Sequence, residues 1–161
     1  MLILLSCAKT MSDVSKVKVP FTTIPCFQKE AAEIALEMSQ FSVEELEHLL
    51  RVNPKIAVEN YKRYQAFHSE DTRALPALLA YTGIVFKRLN PKDFSEDDFR
   101  YAQEHLRFTS FCYGLLRPLD LIRLYRLEGD VRLPEQGGKT LFSYWQSRLT
   151  DSFLKEIKAT G

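Results

Sequence analysis

This 161-residue chain has few cysteines, no long apolar run and no large excess of either charge. Its three cysteines, Cys7, Cys26 and Cys112, are too widely spaced for a disulfide framework or a Cys-x-x-Cys metal site. An odd cysteine count fits a reducing compartment. No stretch approaches the roughly 20 apolar residues of a membrane span, and the start lacks the positive region and long apolar core of a signal peptide. The sequence therefore predicts a soluble cytoplasmic protein with no membrane partner.

The charge balance excludes a strong electrostatic field over the whole protein. The chain has 22 Lys and Arg against 21 Asp and Glu, which gives a net charge of +1. A nucleic-acid site would therefore have to be a local basic patch. A composition of 45% hydrophobic and 27% charged residues excludes disorder. The length suggests a single domain over residues 1–161.

Familiar cofactor and metal motifs are also missing. The segment Gly137-Gly-Lys-Thr140 resembles the end of a P-loop, but Leu133 stands where the opening glycine belongs. We interpret this segment as a turn in which Thr140 caps the last helix. No G-x-G-x-x-G motif occurs, and no two histidines have the i, i+4 spacing of metal ligands on one helix face. The sequence predicts no cofactor and no metal bound by this chain.

Hydrophobic periodicity and capping residues predict alternating helices and short strands. Ser42 and Ser95 open capping boxes, and Asn53 followed by proline is a further helix start. A continuous apolar run predicts a short buried first strand. Helices are predicted at about 27–40, after Ser42, from Asn53 to about His68, over 95–107 and from Leu141 to Ile157, with strands at Leu2–Leu5, Leu75–Tyr81 and Phe108–Tyr113.

These elements predict a mixed α/β fold in which helices surround a small mixed sheet. Two or three short strands cannot make a comfortable sheet by themselves. The last predicted helix runs almost to Gly161, where no further element follows. We therefore expect the fold to be incomplete at the C-terminus.

The segment from Leu106 to Arg132 is rich in arginine and aromatic residues. Planar guanidinium groups bind phosphate through paired hydrogen bonds, and aromatic rings stack on bases. The same arginines could instead pair with Asp120, Glu128 and Asp130 in an ion network that holds strands and loops together. Spacing leaves both interpretations open for Arg107, Arg117, Arg123, Arg126 and Arg132.

Two passages are specific enough to compare with a known family. The first is Leu5-Ser-Cys-Ala-Lys-Thr-Met11, and the second comprises Phe94-Ser-Glu-Asp-Asp-Phe99, His105-Leu-Arg107, Tyr113-Gly-Leu-Leu-Arg-Pro-Leu-Asp-Leu121 and Tyr125-Arg-Leu-Glu128. They resemble the Ser-Pro-Ala-Lys-Thr-Leu signature and the central block of the YaaA family of bacterial peroxide-stress proteins. Gly138-Lys139 and Trp145 fit the next landmark of that family, so the resemblance extends to about residue 155. The chain departs from the family pattern where Cys7 replaces the signature proline and Phe111-Cys112 replace Gly-Leu.

The resemblance implies a cytosolic bacterial protein that limits peroxide damage and is associated with lower intracellular free iron. It also implies a helix-hairpin-helix-like element that binds double-stranded and branched DNA. We place this element at Tyr113-Gly-Leu-Leu-Arg-Pro118, with Tyr113, Gly114 and Pro118 shaping its turn. Family members continue well past Gly161, so this chain is expected to be the N-terminal portion of a longer protein. The family positions predict a DNA-binding set of Lys9, Arg107, Arg117, Arg126 and Lys139.

Three functions follow from these observations. The first is a non-enzymatic stress protein that binds DNA through sequence-independent phosphate contacts. The second is an enzyme acting on a nucleic acid or nucleotide, with Lys9, Tyr125 and Glu128 converging in a cleft. The third is an iron-handling protein, for which the sequence offers no cluster of His, Cys and carboxylate at ligand spacing. An open basic ridge favours the first function and a closed pocket the second, while mutual burial as ion pairs indicates a structural network.

Overall fold

The computed structural model describes residues 1–160, and Gly161 lies outside the described residues. The helices are α1 Gln28–Met38, α2 Val43–Leu50, α3 Pro54–Ala66, α4 Ala77–Ala80, α5 Ile84–Leu89, α6 Glu96–His105 and α7 Leu141–Thr160. The strands are β1 Ile3–Ser6, β2 Thr10–Met11, β3 Leu75–Pro76, β4 Tyr81–Thr82, β5 Leu106–Ser110, β6 Gly114–Leu116 and β7 Leu121–Ile122. The predicted mixed α/β class is confirmed.

The largest sheet of the described chain has three strands in the order β1-β5-β6. Strands β1 and β5 are parallel, from Ile3 opposite Leu106 to Ser6 opposite Thr109. Strand β6 returns antiparallel to β5, and two short antiparallel pairs, β2 with β4 and β3 with β7, lie outside this sheet. The parallel pairing places the carboxyl ends of β1 and β5 side by side.

Four predicted helix starts are confirmed by their capping hydrogen bonds. The side chains of Ser42, Asn53, Ser95 and Thr140 each accept the backbone N–H of the residue three positions later, at 2.9 to 3.2 Å. These bonds satisfy N–H groups that have no partner within the helix. At Ser42 and Ser95 the acidic side chain three residues later accepts the backbone N–H of the cap residue, which completes a capping box.

The prediction of one strand over Leu75–Tyr81 is wrong. Only Leu75–Pro76 and Tyr81–Thr82 are extended, and they pair with different strands. The intervening Ala77–Ala80 forms a buried helical turn, because alanine and leucine are strong helix formers. A short apolar run is ambiguous between strand and buried helix when periodicity is the only evidence.

The helix-hairpin-helix element placed at Tyr113–Pro118 is not confirmed, because this segment belongs to a β-hairpin. The chain leaves β5, turns through residues 111–113 and returns as β6, with Ser110 opposite Gly114. The Ser110 hydroxyl accepts the backbone N–H groups of Cys112 and Tyr113 at 3.2 and 3.0 Å, which fixes the turn. Gly114 leaves the turn with a φ of +76°, a conformation that glycine adopts without steric cost.

The first strand is present, but the prediction that it is buried is wrong. Within the described sheet, β1 is an edge strand, and the side chains of Ile3 and Leu4 are 37% and 46% exposed. Helix α7 shows a related difference along its length. Its first half is buried through Leu141 and Trp145, whereas Ile157 near its end is exposed.

Candidate functional site

A small pocket lies where the carboxyl ends of β1 and β5 meet the segment 125–128. This end of parallel strands is the usual position of ligands in open α/β sheets. The cavity volume is about 170 Å³. We call it the Lys9 pocket, and its lining includes Cys7, Lys9, Thr109, Tyr125, Arg126 and Glu128. The structure thus brings together Lys9, Tyr125 and Glu128, the three residues of the alternative catalytic hypothesis.

Lys9 stands at the mouth of the pocket and pairs with a carboxylate on the opposite wall. Its Nζ lies 3.4 Å from Oε1 of Glu128. The Lys9 side chain is 70% exposed, whereas that of Glu128 is 19% exposed. An ion pair with one partner so open to water is weak, because solvent screens it and ordering a lysine costs entropy. Lys9 is therefore available to a competing anion.

Arg126 contributes a second cation to the same pocket, and its Nε is buried without a hydrogen-bond partner. Its backbone is held firmly, since the Tyr64 hydroxyl donates to the Arg126 carbonyl and the Arg126 N–H donates to that hydroxyl at 3.3 Å. A buried donor on a charged group that lacks an acceptor is costly. Because this Nε has almost no accessible surface, an acceptor reaches it only if the Arg126 side chain moves.

Neutral hydroxyl and thiol groups surround the inner part of the pocket. The hydroxyl of Tyr125 hydrogen-bonds to Ser110 Oγ at 2.6 Å and to the hydroxyl of Tyr81. Burial raises the pKa of both tyrosines well above their ordinary values, so both are neutral near pH 7. Burial also raises the pKa of the Cys7 thiol, against a smaller lowering by the Tyr125 hydroxyl. The charge lining this pocket therefore resides on Lys9, Arg126 and Glu128.

Two of the five arginines and lysines predicted to bind DNA are engaged inside the protein. Arg107 is 8% exposed; its Nε donates to both carboxylate oxygens of Glu156 at 3.1 Å. Arg117 donates to Oδ1 of Asp120 through Nε and Nη2, at 3.2 and 3.0 Å. Asp120 is fully buried. Arg117 forms the pair with Asp120 that spacing had left open, whereas the partner of Arg107 is Glu156, which sequence reasoning had not named.

The turn-shaping residues of the sequence prediction lie next to this network. Tyr113 and Pro118 are both buried. The Tyr113 hydroxyl accepts the backbone N–H of Arg123 at 2.9 Å, and the Pro118 carbonyl accepts the N–H of Leu78 at 3.0 Å. A Cβ added to Gly114 would lie 2.6 Å from the Trp145 ring, so this glycine is required for close packing as well as for its φ.

Further cations lie between residues 126 and 139 or pair with that segment, and sequence reasoning missed one of them. Arg51 pairs with Asp130, although 79 residues separate them, so no local pattern could have indicated the contact. Arg132 donates to the carbonyl of Gly138 at 2.9 Å, next to the exposed Lys139. Arg51, Arg126, Arg132 and Lys139, together with Lys9, form what we call the basic rim.

Two further findings bear on metals and membranes. Within residues 1–160, no group of three or more His, Cys, Asp or Glu side chains is placed to hold a metal ion. In the same range, no helix is both long and apolar enough to cross a bilayer.

Comparison with known proteins identifies the family. A family model described as "Peroxide stress protein YaaA" matches residues 1–160. The chain belongs to the YaaA family. Relatives described as UPF0246 proteins include one from Bacteroides thetaiotaomicron, 81% identical over 161 residues, and one from Bacteroides fragilis, 78% identical over 161 residues. A third, from Porphyromonas gingivalis, is 46% identical over 162 residues. In each comparison all of this chain is covered, and it spans 63% of the relative's length.

The two passages that resemble the YaaA family are far apart in sequence and meet at the Lys9 pocket. The first passage supplies Cys7 and Lys9, and the second supplies Tyr125, Arg126 and Glu128. The parallel pairing of β1 with β5 brings these passages together. The family resemblance and the pocket geometry therefore single out the same part of this YaaA-family chain.

Proposed function

We propose that this chain acts in the bacterial cytosolic response to peroxide by binding double-stranded or branched DNA through phosphate contacts, which limits DNA damage. Membership of a peroxide-stress family supports the physiological part of the proposal. The basic rim supports the DNA-binding part. Lower intracellular free iron belongs to the same proposal as a physiological effect, and no residue of the described chain is assigned to it.

The observation that carries the proposal is the charge of the basic rim. It has five cationic side chains, and the acidic partners within it are Glu128 and Asp130. With these two acids and the exposed Glu135, which lies between Arg132 and Lys139 in sequence, the set has a net charge of +2, whereas the whole chain has +1. A local cationic surface of this kind attracts the DNA backbone without reading its sequence, because neutralising phosphates releases condensed counterions.

Three members of the basic rim differ from Arg107 and Arg117, because within the described chain none of them has its side chain hydrogen-bonded to a buried carboxylate or a backbone carbonyl. Lys9 and Lys139 are exposed, and the Nε of Arg126 has no hydrogen-bond partner. Arg107 and Arg117 donate to the carboxylates of Glu156 and Asp120 and to backbone carbonyls. We therefore assign phosphate contact to Lys9, Arg126 and Lys139, and a structural role to the other two.

Fluorescence anisotropy with labelled duplex and four-way-junction DNA tests the proposal. We expect binding that weakens steeply with salt, and a further loss in the Lys9→Ala and Lys139→Ala variants, because each removes one phosphate contact. The matched control is Lys92→Ala, which removes an exposed lysine that does not line the pocket. Absence of binding at low salt, or an equal loss in the control, would contradict the proposal.

A second candidate is an enzyme acting on a nucleic acid or nucleotide, favoured by the convergence of Lys9, Tyr125 and Glu128 in one pocket. Two observations weigh against it. The cavity of about 170 Å³ is smaller than the roughly 300 Å³ at which ligand pockets usually begin. The Tyr125 hydroxyl is also engaged with Ser110 and Tyr81. Turnover of DNA or a nucleotide that is lost in Glu128→Gln would favour this candidate.

A further inference from the structure

We propose that the Lys9 pocket binds a single phosphate monoester, the terminal phosphate of a DNA strand. This inference rests on the proposed DNA-binding function and specifies which part of the nucleic acid the pocket recognises. It predicts that the protein distinguishes strand ends that carry phosphate from those that carry hydroxyl.

The first argument is the arrangement of donors and charge. Lys9 and Arg126 line the same pocket, and the Nε of Arg126 is buried without an acceptor. Arginine and lysine are the usual phosphate-binding side chains, and their hydrogen bonds to an anion are stronger than those between neutral groups. A shift of the Arg126 side chain would let a phosphate oxygen supply the acceptor that its buried Nε lacks. The neutral Tyr125 and Cys7 nearby add no opposing charge.

The second argument is the size of the cavity. About 170 Å³ is too little for a nucleoside but is enough for one phosphate group with a few waters, since each water occupies about 30 Å³. A phosphate within the strand has a sugar on both sides, so the two flanking nucleotides would keep it out of the cavity. A terminal phosphate has a sugar on one side only, and it can enter with its free oxygens first.

Glu128 is the group that such a phosphate must displace. Its Oε1 lies 3.4 Å from the Lys9 Nζ, and its negative charge repels an incoming anion. The exposure of Lys9 makes this pair weak, so exchange of the carboxylate for a phosphate dianion is feasible. Removing the charge of Glu128 should therefore strengthen phosphate binding. This effect is opposite in sign to the effect of losing either cation.

The experiment compares duplexes of one sequence whose ends carry 5′-phosphate, 3′-phosphate or hydroxyl, with anisotropy as the readout. For the unmodified chain, we expect tighter binding of at least one phosphate-ended duplex, by about tenfold, as for one charge-assisted hydrogen bond. This preference should fall to about one in Lys9→Ala and rise in Glu128→Gln. Lys92→Ala should retain the preference, because Lys92 does not line the pocket.

The possible outcomes separate this inference from the proposed function. Equal binding of all three duplexes overturns the phosphate pocket but leaves DNA binding intact. Loss of all binding, including that of hydroxyl-ended duplex, overturns the proposed function itself. Titration of inorganic phosphate by calorimetry separates the two sources of the same group. If inorganic phosphate binds as tightly as the phosphate-ended duplex does, the ligand is free phosphate and the assignment to strand ends is wrong.

The variants need a check that the pocket is still folded. Lys9 and Glu128 carry no hydrogen bond to the backbone among those of the described side chains, so thermal unfolding of both variants should match that of the unmodified chain. Arg126→Lys keeps the charge but removes Nε, and we expect it to retain only part of the end preference. Full retention in this variant would contradict the role given to that nitrogen.

Discussion

Replacing Arg117 with alanine should destabilise the protein, because Arg117 neutralises a carboxylate that water cannot reach. Asp120 has no exposed surface, and it accepts hydrogen bonds from the Arg117 side chain at 3.2 and 3.0 Å. Breaking a buried ion pair from one side costs about 3–5 kcal/mol. Two bonds to Asp120 survive, from the Thr23 hydroxyl at 2.6 Å and from the backbone N–H of residue 117 at 2.8 Å. Because Arg117 is itself 30% exposed, we reduce the expected loss to about 2 kcal/mol.

Urea unfolding followed by circular dichroism measures this loss. With a slope of about 2 kcal/mol per molar urea, the midpoint of Arg117→Ala should fall by about 1 M. The control is Arg88→Ala, because Arg88 is exposed on helix α5 and its replacement should cost less than about 0.5 kcal/mol. A midpoint for Arg117→Ala that matches the control would refute a buried structural role. Arg117 would then return to the set of candidate phosphate contacts.

Three further predictions concern the hairpin, the thiols and a buried carboxylate. In the same urea assay, Gly114→Ala should lower the free energy of unfolding by about 3 kcal/mol, because the new methyl group meets the Trp145 ring. Gly137 also has a positive φ but open space around it, so Gly137→Ala should cost only about 1 kcal/mol. The exposed thiol of Cys26 should react with a disulfide reagent at pH 8 well before the other two thiols, whose pKa values burial raises; equal rates in the native protein would contradict this order. Burial likewise raises the pKa of Glu37, so ionisation of this carboxyl group opposes folding as the pH rises. Glu37→Gln should therefore increase the unfolding temperature more at pH 7 than at pH 4. The reverse order would show that burial does not destabilise the ionised carboxylate.

Features of the fold that depend on neighbouring residues could be predicted from the sequence. The caps at Ser42, Asn53 and Ser95 are such features, because a cap side chain and the N–H that it satisfies are three residues apart. The run Leu75–Tyr81 could not be assigned in this way, because its conformation is set by β2 and β7, which lie far away in sequence. Tertiary pairing overrides local propensity in such short elements.

The candidate site shows the same limit. Sequence comparison selected Lys9, Arg107 and Arg126 together, since all three fall in family motifs. It gave no sign that Glu156, 49 residues away, would hold Arg107 inside the protein. Nor did it indicate that the Nε of Arg126 would be buried without a partner. For Arg107 and Arg126 the outcome depends on long-range packing, whereas Arg117 meets Asp120 only three residues away.

The salt dependence of DNA binding tests the central claim most directly. Counterion release predicts that the logarithm of the binding constant falls linearly with the logarithm of salt, by about 0.9 per phosphate contact. With Lys9, Arg126 and Lys139 in contact, the slope should have a magnitude of about 3, and Lys9→Ala should reduce it by about one while Lys92→Ala leaves it unchanged. A slope near zero, or one that Lys9→Ala does not alter, would contradict phosphate contact at the basic rim.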